Sequence, residues 1–370
     1  MGQLFAQIEV LPEGKSAFIQ AMAMEQSGNL DGAVQIYNQI LYGNPNHQQS
    51  YLQLRNIYTK TGDPASAIPL VTKWLKTHPN DLQSSLALGE FYFRNQEEEK
   101  ALAVWQHFRN TQLNNQTSYR LLLQSYIRFG QTKAMASLVL KGRKQFNEPY
   151  FLAIDLANYY QSRQTYDRSL NEYMILIKHQ KQYLKYTIDR ILLMSDDSTT
   201  HVLIDSTLLS ASANIPKVKI ISAGFYYKTG QFEKALREHK QMGLNNSSDS
   251  KRWLDFSQNL LKENQYQLSI EAYHYFLQNM TRNDPSVLGK TLLGLGQAYE
   301  NQIIQNQTEL QFVKWYPNND FFQFTRIKGP DILDEPLANT LEHYQSILAL
   351  LPPSNTTATV HFRLGEIQSN

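Results

Sequence analysis

The chain has 370 residues, of which 42% are hydrophobic and 18% are charged, a composition typical of folded rather than disordered proteins. Its net charge of +2 and pI of about 8.4 do not match the concentrated basic face of nucleic-acid binders, so we discount nucleic acid as a partner. The absence of cysteine excludes disulfides, thiolate metal sites and a cysteine nucleophile. No apolar run reaches the length of about 18 residues expected of a transmembrane segment.

The first residues are similar to the end of a secretory signal. Residues 3–7 read Gln-Leu-Phe-Ala-Gln, with a small residue where a cleavage site would stand but without the apolar core of a leader. Two readings stay open, namely an exported chain whose leader was removed and an ordinary N-terminus. The first would place the chain in the periplasm or cell envelope, and the second in the cytoplasm.

A period of 34 residues runs through most of the chain, and such a period is the strongest available indication of fold. The small residue that opens the second helix of each predicted hairpin recurs at this interval over residues 33–169 and again over 235–269. The middle step of 66 residues equals two periods less two residues, which leaves room for one degenerate repeat. The residues at this position are Ala33, Ala67, Ala101, Met135, Ser169, Ala235 and Ser269.

Turn residues keep the same phase. A glycine recurs four residues after an aromatic late in the first helix, and glycine readily adopts the left-handed conformation that ends a helix. Asp63 then supplies an N-cap acceptor, and Pro64 has the backbone angle of a first helical turn. Prolines stop the second helices because they cannot continue the hydrogen-bond ladder. These landmarks are Tyr58, Tyr92, Tyr126, Tyr160, Tyr226 and Tyr299, then Gly28, Gly62, Gly130 and Gly230, and finally Pro45, Pro79 and Pro352.

Together these residues resemble the tetratricopeptide repeat. The resemblance implies an all-α fold, a right-handed superhelical solenoid of helix-turn-helix repeats in which the first helices line a concave face that binds partners. The sequence departs from the pattern at residues 180–216 and 303–336. The matching residues are Tyr51, Leu54, Tyr58, Gly62, Ala67, Trp74 and Pro79, with Leu88, Gly89 and Tyr92 and with Leu295, Gly296 and Tyr299 in later repeats.

The departures from the period predict the domain organisation. We expect an N-terminal array over residues 1–180, a degenerate repeat over 181–216 and a C-terminal array over 217–370. The last array contains the insertion 303–336, and residues 360–366 begin a first helix whose partner is not in the sequence. Because a solenoid normally closes with a capping element, we expect either a longer native protein or an end covered by another chain.

The resemblance implies a concave face, and residues on the first helices away from the Leu-Gly-Tyr stripe are the candidates to line it. Amides can pair with an extended peptide backbone, and arginine can hold carboxylates. The alternative is a solvated helix face with local pairs such as Glu90 with Arg94. The Lys and Asn clamp by which some members hold a C-terminal carboxylate is absent, because Leu52 and Leu86 precede the two candidate positions. The candidates are Asn56, Lys60, Glu90, Arg94, Arg120, Gln124, Arg128, Asn158 and Gln161.

The insertion holds two aromatic runs around a Pro-Asn-Asn-Asp turn, and this pattern predicts a small β-hairpin near residues 310–327. Such a hairpin either caps the side of the array or forms a partner or self-association site, since aromatic residues are favoured anchors. The candidate residues are Phe312, Trp315, Tyr316, Phe321, Phe322 and Phe324.

No motif of an enzyme, nucleotide site or metal site occurs, so we expect no catalytic residue, cofactor or metal. The nine histidines are dispersed, and His107, His239 and His343 fall on different repeats, where we expect exposed or locally bonded side chains. The sequence thus predicts a non-catalytic scaffold or adaptor for protein or peptide partners. One alternative is a sensor or regulatory array attached to a catalytic or membrane domain. The other is a helical-repeat RNA binder, for which the basic groove is weak.

Overall fold

The computed structural model describes residues 14–280, 285–310 and 334–369. The chain divides into two compact units, Met1–Tyr159 and Tyr160–Asn370. Successive helices of the first unit pack against each other as hairpins joined by short turns. Its helices are α1 Gly14–Gln26, α2 Leu30–Gly43, α3 Gln48–Thr61, α4 Pro64–Thr77, α5 Leu82–Arg94, α6 Glu98–Thr111, α7 Gln116–Arg128, α8 Thr132–Phe146 and most of α9 Ala153–Ser162.

The second unit begins within α9 and repeats the hairpin arrangement. Short 3-10 turns at Lys181–Tyr183 and Ser198–Thr200 precede two of its helices. The helices are α10 Tyr166–His179, α11 Leu184–Met194, α12 His201–Ser212, α13 Val218–Lys228, α14 Phe232–Met242, α15 Ser247–Lys262, α16 Tyr266–Asn279, α17 Pro285–Leu310, α18 Asp334–Leu350 and α19 Asn355–Ser369.

The residues that define the 34-residue period form the centre of each hairpin. Every residue predicted to open a second helix is fully buried, because only a short side chain or a flexible one fits where the two helices approach. The prediction of an all-α helical-repeat fold is confirmed in both units. The buried openers are Ala33, Ala67, Ala101 and Met135 in the first unit and Ser169, Ala235 and Ser269 in the second.

Each turn between the two helices of these hairpins contains one residue in the left-handed backbone conformation. The predicted glycines adopt it, with φ of 68° at both Gly62 and Gly130. The same position is left-handed where no glycine stands, with φ of 63° at Gln96, 57° at Gln164 and 58° at Asn264. The backbone of the turn therefore follows the period more strictly than the sequence does, and the non-glycine residues adopt a conformation that disfavours a Cβ atom.

We expect the substitution Gln96→Gly to raise the free energy of unfolding of the first unit by about 1 kcal/mol, since glycine has no steric penalty at positive φ. Gln96 is exposed, so no packing is lost. Urea denaturation followed by circular dichroism measures the change. The reverse substitution Gly62→Ala should lower the free energy of unfolding by a similar amount. Destabilisation by Gln96→Gly would show that the positive φ at this turn does not carry the expected steric penalty.

The predicted caps and stops are confirmed. The side chain of Asp63 accepts a hydrogen bond from the backbone N–H of Ser66 at 3.1 Å and thereby caps α4. The second helices α2, α4 and α18 each end two residues before Pro45, Pro79 and Pro352 respectively, as expected from the inability of proline to extend a helix.

Residues 181–216, where the period slips, contain the two helices α11 and α12. The two compact units meet between residues 159 and 160. The predicted arrays 1–180 and 217–370 stay predictions. The assignment of 181–216 as a degenerate repeat between two arrays stays a prediction, because a helical pair alone does not distinguish a degenerate repeat from a regular one.

The predicted limits of the insertion are wrong. Helix α17 does not end near Gln302 but continues to Leu310, because residues 303–310 contain neither glycine nor proline to stop it. Helix α18 begins at Asp334, before the expected start at Leu337. The β-hairpin predicted near residues 310–327 is not borne out at its first residue, because Leu310 is helical. Residues 311–327 lie outside the described residues.

The two chain ends were also the subject of predictions. Residues 3–7, which are similar to the end of a secretory signal, lie outside the described residues. Residues 360–366 lie within α19, which confirms a helix there. Among residues 14–280, 285–310 and 334–369, none of the helices is both long and apolar enough to cross a membrane.

Candidate partner-binding face

The candidate residues of the first unit occupy equivalent positions on successive first helices. Asn56, Glu90, Gln124 and Asn158 are spaced by 34 residues and lie on α3, α5, α7 and α9. Because equivalent residues of stacked repeats face the same side, these four form one row. We call the first-helix face the set formed by Asn56, Lys60, Glu90, Arg94, Arg120, Gln124, Arg128 and Asn158.

Glu90 links two first helices of this face. Its Oε1 accepts a hydrogen bond from the Ser125 hydroxyl at 2.8 Å, and its Oε2 forms an ion pair with Arg128 of α7. The local pair between Glu90 and Arg94 expected for a merely solvated helix is replaced by this contact between repeats. The Glu90 carboxylate is only 16% exposed, so it acts chiefly to fix the spacing of α5 and α7.

Three basic residues of the face, Lys60, Arg94 and Arg128, lie in the last turn of their first helices and contact the preceding first helix. Arg94 donates to the backbone carbonyl of Thr59 at 3.4 Å, and Lys60 lies 3.8 Å from the Glu25 carboxylate of α1. In the second unit, Lys228 contacts the carbonyl of Leu192 in the same manner. A cation near the carbonyls of Thr59 and Leu192 is favourable because the C-terminal end of a helix carries partial negative charge. These residues thus stabilise stacking while their charged ends remain exposed.

Arg120 faces a partly buried acid. Burial raises the pKa of Asp155 on α9, while the positive charge of Arg120 on α7 acts in the opposite direction. Arg120 itself is exposed. The charge of this arginine is therefore partly neutralised within the unit, as are the charges of Lys60 and Arg128.

The amides of the face differ from its charged residues. The Asn56 and Gln124 side chains are exposed and form no hydrogen bond within the described part of the chain. Asn158 is half-buried. The face therefore presents two accessible amides among basic side chains, and the charges of Lys60, Arg120 and Arg128 are partly neutralised. Such a surface is suited to polar recognition.

Gln161 is the candidate that belongs to the second unit. Its side-chain oxygen accepts from the Tyr173 hydroxyl at 3.0 Å, and its amide nitrogen donates to the Arg190 carbonyl at 3.4 Å. Both ends of this amide are thus bonded within the second unit. The six aromatic candidates of the insertion, Phe312, Trp315, Tyr316, Phe321, Phe322 and Phe324, lie outside the described residues.

Two histidines that the sequence did not connect both contact Tyr299 in the second unit. His274 shares a hydrogen bond of 2.7 Å with the Tyr299 hydroxyl, and the Tyr299 ring lies 5.9 Å from that of His343. Burial lowers the pKa of His343, and the positive charge of His274 lowers it further, although a bond to the Leu292 carbonyl opposes both. Within the residues described, no three His, Asp or Glu side chains converge as metal ligands do.

His239 contradicts the expectation that its side chain is exposed or locally bonded. It is 7% exposed, its ring stacks on Phe256 at 4.0 Å, and its Nδ1 atom has no hydrogen-bond partner in the described structure. A signal in the sequence could have located it. His239 stands four residues after the opener Ala235. Trp105, Tyr173 and Tyr273 stand at the same position in their hairpins, and each fills the hairpin core with a buried aromatic ring.

Both units thus consist of all-α helical-hairpin repeats, the arrangement that the resemblance to the tetratricopeptide repeat implies. Similar solved structures include the MamA protein, with 18% identity over 47% of this chain and 94% of that one and a TM-score of 0.34. Yeast Tom70 has 11% identity over 96% of each chain with a TM-score of 0.26. A tetratricopeptide repeat protein from Parabacteroides merdae has 13% identity over 77% of this chain and 98% of that one, with a TM-score of 0.28.

No protein-family model matches the chain, and no curated protein sequence matches it.

Proposed function

We propose that the chain is a non-catalytic scaffold whose first-helix face in the first unit binds a segment of a protein partner. The observation that carries this proposal is the pair of exposed amides, Asn56 and Gln124, which have no bonding partner in the described residues. Amides can donate to and accept from an extended backbone, so they bind a chain with little dependence on its side chains. The neighbouring basic residues form contacts that stabilise the stacking of the repeats, whereas the two amides form no hydrogen bond within the described residues.

The double substitution Asn56→Ala with Gln124→Ala is expected to weaken partner binding about tenfold, since two hydrogen bonds at the centre of the contact are lost. Affinity capture of the native protein with chemical crosslinking, followed by mapping of the crosslinked residues, measures the change and locates the contact. The matched control is Asn38→Ala with Gln39→Ala, two exposed residues of α2. Equal loss in both variants, or crosslinks confined to second helices, would disprove the role of this face.

Two finer parts of the proposal rest on the sequence alone. The aromatic segment 312–327 is proposed as a second contact with a partner, and its deletion should remove crosslinks without reducing helical content. Export to the cell envelope is proposed from residues 3–7. Cell fractionation of the native protein tests it, and recovery in the cytoplasmic fraction alone would refute export.

A further inference from the structure

A cavity of about 320 Å³ opens between the first helices of the first two hairpins, at one end of the first-helix face. Its apolar lining comes from Met22, Leu30 and Ile57, and the remaining lining residues are polar or charged. Met22 precedes Asn56 by 34 residues, so the cavity continues the row that includes Asn56 and Gln124. The polar part of the lining consists of Glu25, Gln26, Gln53 and Lys60.

The Glu25 carboxylate lies in the wall of this cavity with 18% of its side chain exposed. Its Oε2 accepts from the Tyr37 hydroxyl at 3.3 Å, and its Oε1 lies 3.8 Å from Lys60 Nζ, the outer limit of an ion pair. A carboxylate offers about four acceptor positions. Both of these contacts are long, so Glu25, which lines the cavity, retains acceptor capacity.

The acid is particular to this hairpin. Residues at the equivalent position in the next repeats are Thr59, Phe93 and Ile127, none of which is acidic. At the next step of the stack Arg94, the equivalent of Lys60, contacts a backbone carbonyl, so the contact between repeats is also made without an acid. A partly buried carboxylate whose two contacts are both long is costly unless a further partner uses its charge.

We propose that this cavity, the Glu25 pocket, binds a lysine or arginine side chain of the protein partner. The aliphatic stem of such a side chain packs on Met22, Leu30 and Ile57 while its cationic end binds the carboxylate. The volume equals that of about ten water molecules, enough for one long side chain. The pocket thereby places one basic residue of the partner at the end of the first-helix face.

Lys60 already lies beside the Glu25 carboxylate and therefore competes with a cation of the partner for it. Its side chain is 73% exposed, and exposed ion pairs contribute little free energy. An incoming cation therefore displaces the Lys60 ammonium into solvent at small cost. Tyr37 remains in place as a neutral donor, because burial, followed by the negative charge of Glu25, raises the pKa of its hydroxyl to about 12.

The inference rests on the proposed function, and its test uses defined probes. The full chain is titrated with a short alanine-serine peptide that contains one central lysine, and separately with the same peptide carrying norleucine, which keeps the stem but lacks the charge. Chemical shifts of the Gln26 and Gln53 side-chain amides report occupancy. We expect about tenfold tighter binding of the lysine peptide, the effect of about one charge-assisted hydrogen bond.

Three variants make the result specific. Glu25→Gln, which is isosteric and preserves the acceptor for Tyr37, should abolish the preference for lysine. Lys60→Ala should strengthen it, and Glu99→Gln, at an exposed position of α6, should leave it unchanged. Equal affinity for the two peptides, no measurable binding at millimolar concentration, or a preference that survives Glu25→Gln would each overturn the proposal. Any of these results leaves crosslinking at Asn56 and Gln124 unaffected, so failure of the pocket and failure of the face are distinguishable.

Discussion

The substitution Gly89→Ala is expected to destabilise the first unit by about 2 kcal/mol, although alanine normally favours a helix. A Cβ atom at Gly89 on α5 would lie 2.3 Å from Nε1 and 2.7 Å from Cδ1 of Trp105 on α6. Trp105 is fully buried and its indole N–H donates to the Leu86 carbonyl at 3.3 Å. The ring cannot withdraw without losing this bond, so the overpacking cost of about 1–3 kcal/mol exceeds the helix propensity gain of about 1 kcal/mol.

Urea denaturation of the full chain with tryptophan fluorescence measures this loss. The matched control is Gly43→Ala on α2 of the same unit, where a Cβ atom would meet nothing within 4 Å. We expect the control to be neutral or slightly stabilising. If both variants behaved alike, the cost at Gly89 would come from the backbone rather than from contact with the tryptophan.

The same contact recurs on either side of the long insertion in the second unit. A Cβ atom at Gly296 on α17 would lie 2.3 Å from Tyr344 on α18. Helices that are far apart in the sequence thus pair as directly as α5 and α6 do. The insertion of residues between the two helices has not changed how they pack, because the glycine and the aromatic ring supply the same complementary shapes.

A rule of size connects these cases. The rule applies to one position of the second helix, four residues after the buried opener. Where this position carries an aromatic ring, the residue 16 positions earlier on the first helix is small, and where it carries valine that residue is large. Close packing requires such complementarity because the volume shared by the two helices is fixed. The small residues are Ala21, Gly89, Ala157, Ala223 and Ser257, opposite Tyr37, Trp105, Tyr173, His239 and Tyr273, whereas Arg55 and Leu123 stand opposite Val71 and Val139.

The rule also defines a rescue of the first variant. Gly89→Leu combined with Trp105→Val reproduces the pair formed by Leu123 and Val139 in the next hairpin. We expect the double variant to be more stable than the sum of the two single losses by about 1–3 kcal/mol, the range of coupling between residues in contact. Additive losses would show that the two positions do not share one volume.

The period, the turns and the helix stops could be predicted because each depends on a residue with a local preference, such as Gly62 or Pro79. The details of the candidate site could not. The pairing of Glu90 with Arg128 rather than Arg94 depends on the distance between α5 and α7, which no local preference encodes. The end of α17 is predicted too early because the 34-residue period expects the first helix to end near residue 302, whereas residues 303–310 contain no helix breaker and remain helical.

The burial of His239 could be predicted from its position in the 34-residue period but not from its residue type alone. Histidine is intermediate between the residues of cores and those of surfaces, so its type alone does not predict burial, and the dispersal of the histidines among the repeats predicted no role. Its phase, however, places it opposite Ala223, in the position that carries tyrosine or tryptophan in four other hairpins. The fold consequently buries a titratable ring between Phe256 and Trp253, where only the neutral form is compatible with packing.

Acidification is therefore expected to destabilise the second unit through His239. Burial lowers the pKa of this imidazole to about 3, and the nearby positive charge of Arg252 contributes to the shift. The unfolded chain binds the proton near the usual pKa of 6.5, whereas the folded chain does not. Stability is thus fully present above pH 6.5 and is lost as the pH falls from 6.5 toward 3, because protonation favours the unfolded state.

At pH 5 this linkage amounts to about 2 kcal/mol, since each pH unit below 6.5 contributes about 1.4 kcal/mol for a single group. His343 has a lowered pKa for the same principal reason and acts in the same direction. Amide hydrogen exchange of α14 and α15, compared at pH 7 and pH 5 after correction for the intrinsic exchange rate, measures the local free energy of opening around His239.

The substitution His239→Gln removes the titration while keeping a polar side chain of similar size. We expect it to reduce the difference in opening free energy between pH 7 and pH 5 by about 2 kcal/mol, whatever its effect on absolute stability. The control His107→Gln removes an exposed imidazole from a second helix of the first unit and should leave the pH dependence of α14 and α15 unchanged. A pH dependence of α14 and α15 that survives His239→Gln would mean that the acid sensitivity of the second unit originates at other groups, and that the buried imidazole is either protonated in the fold or accessible to water.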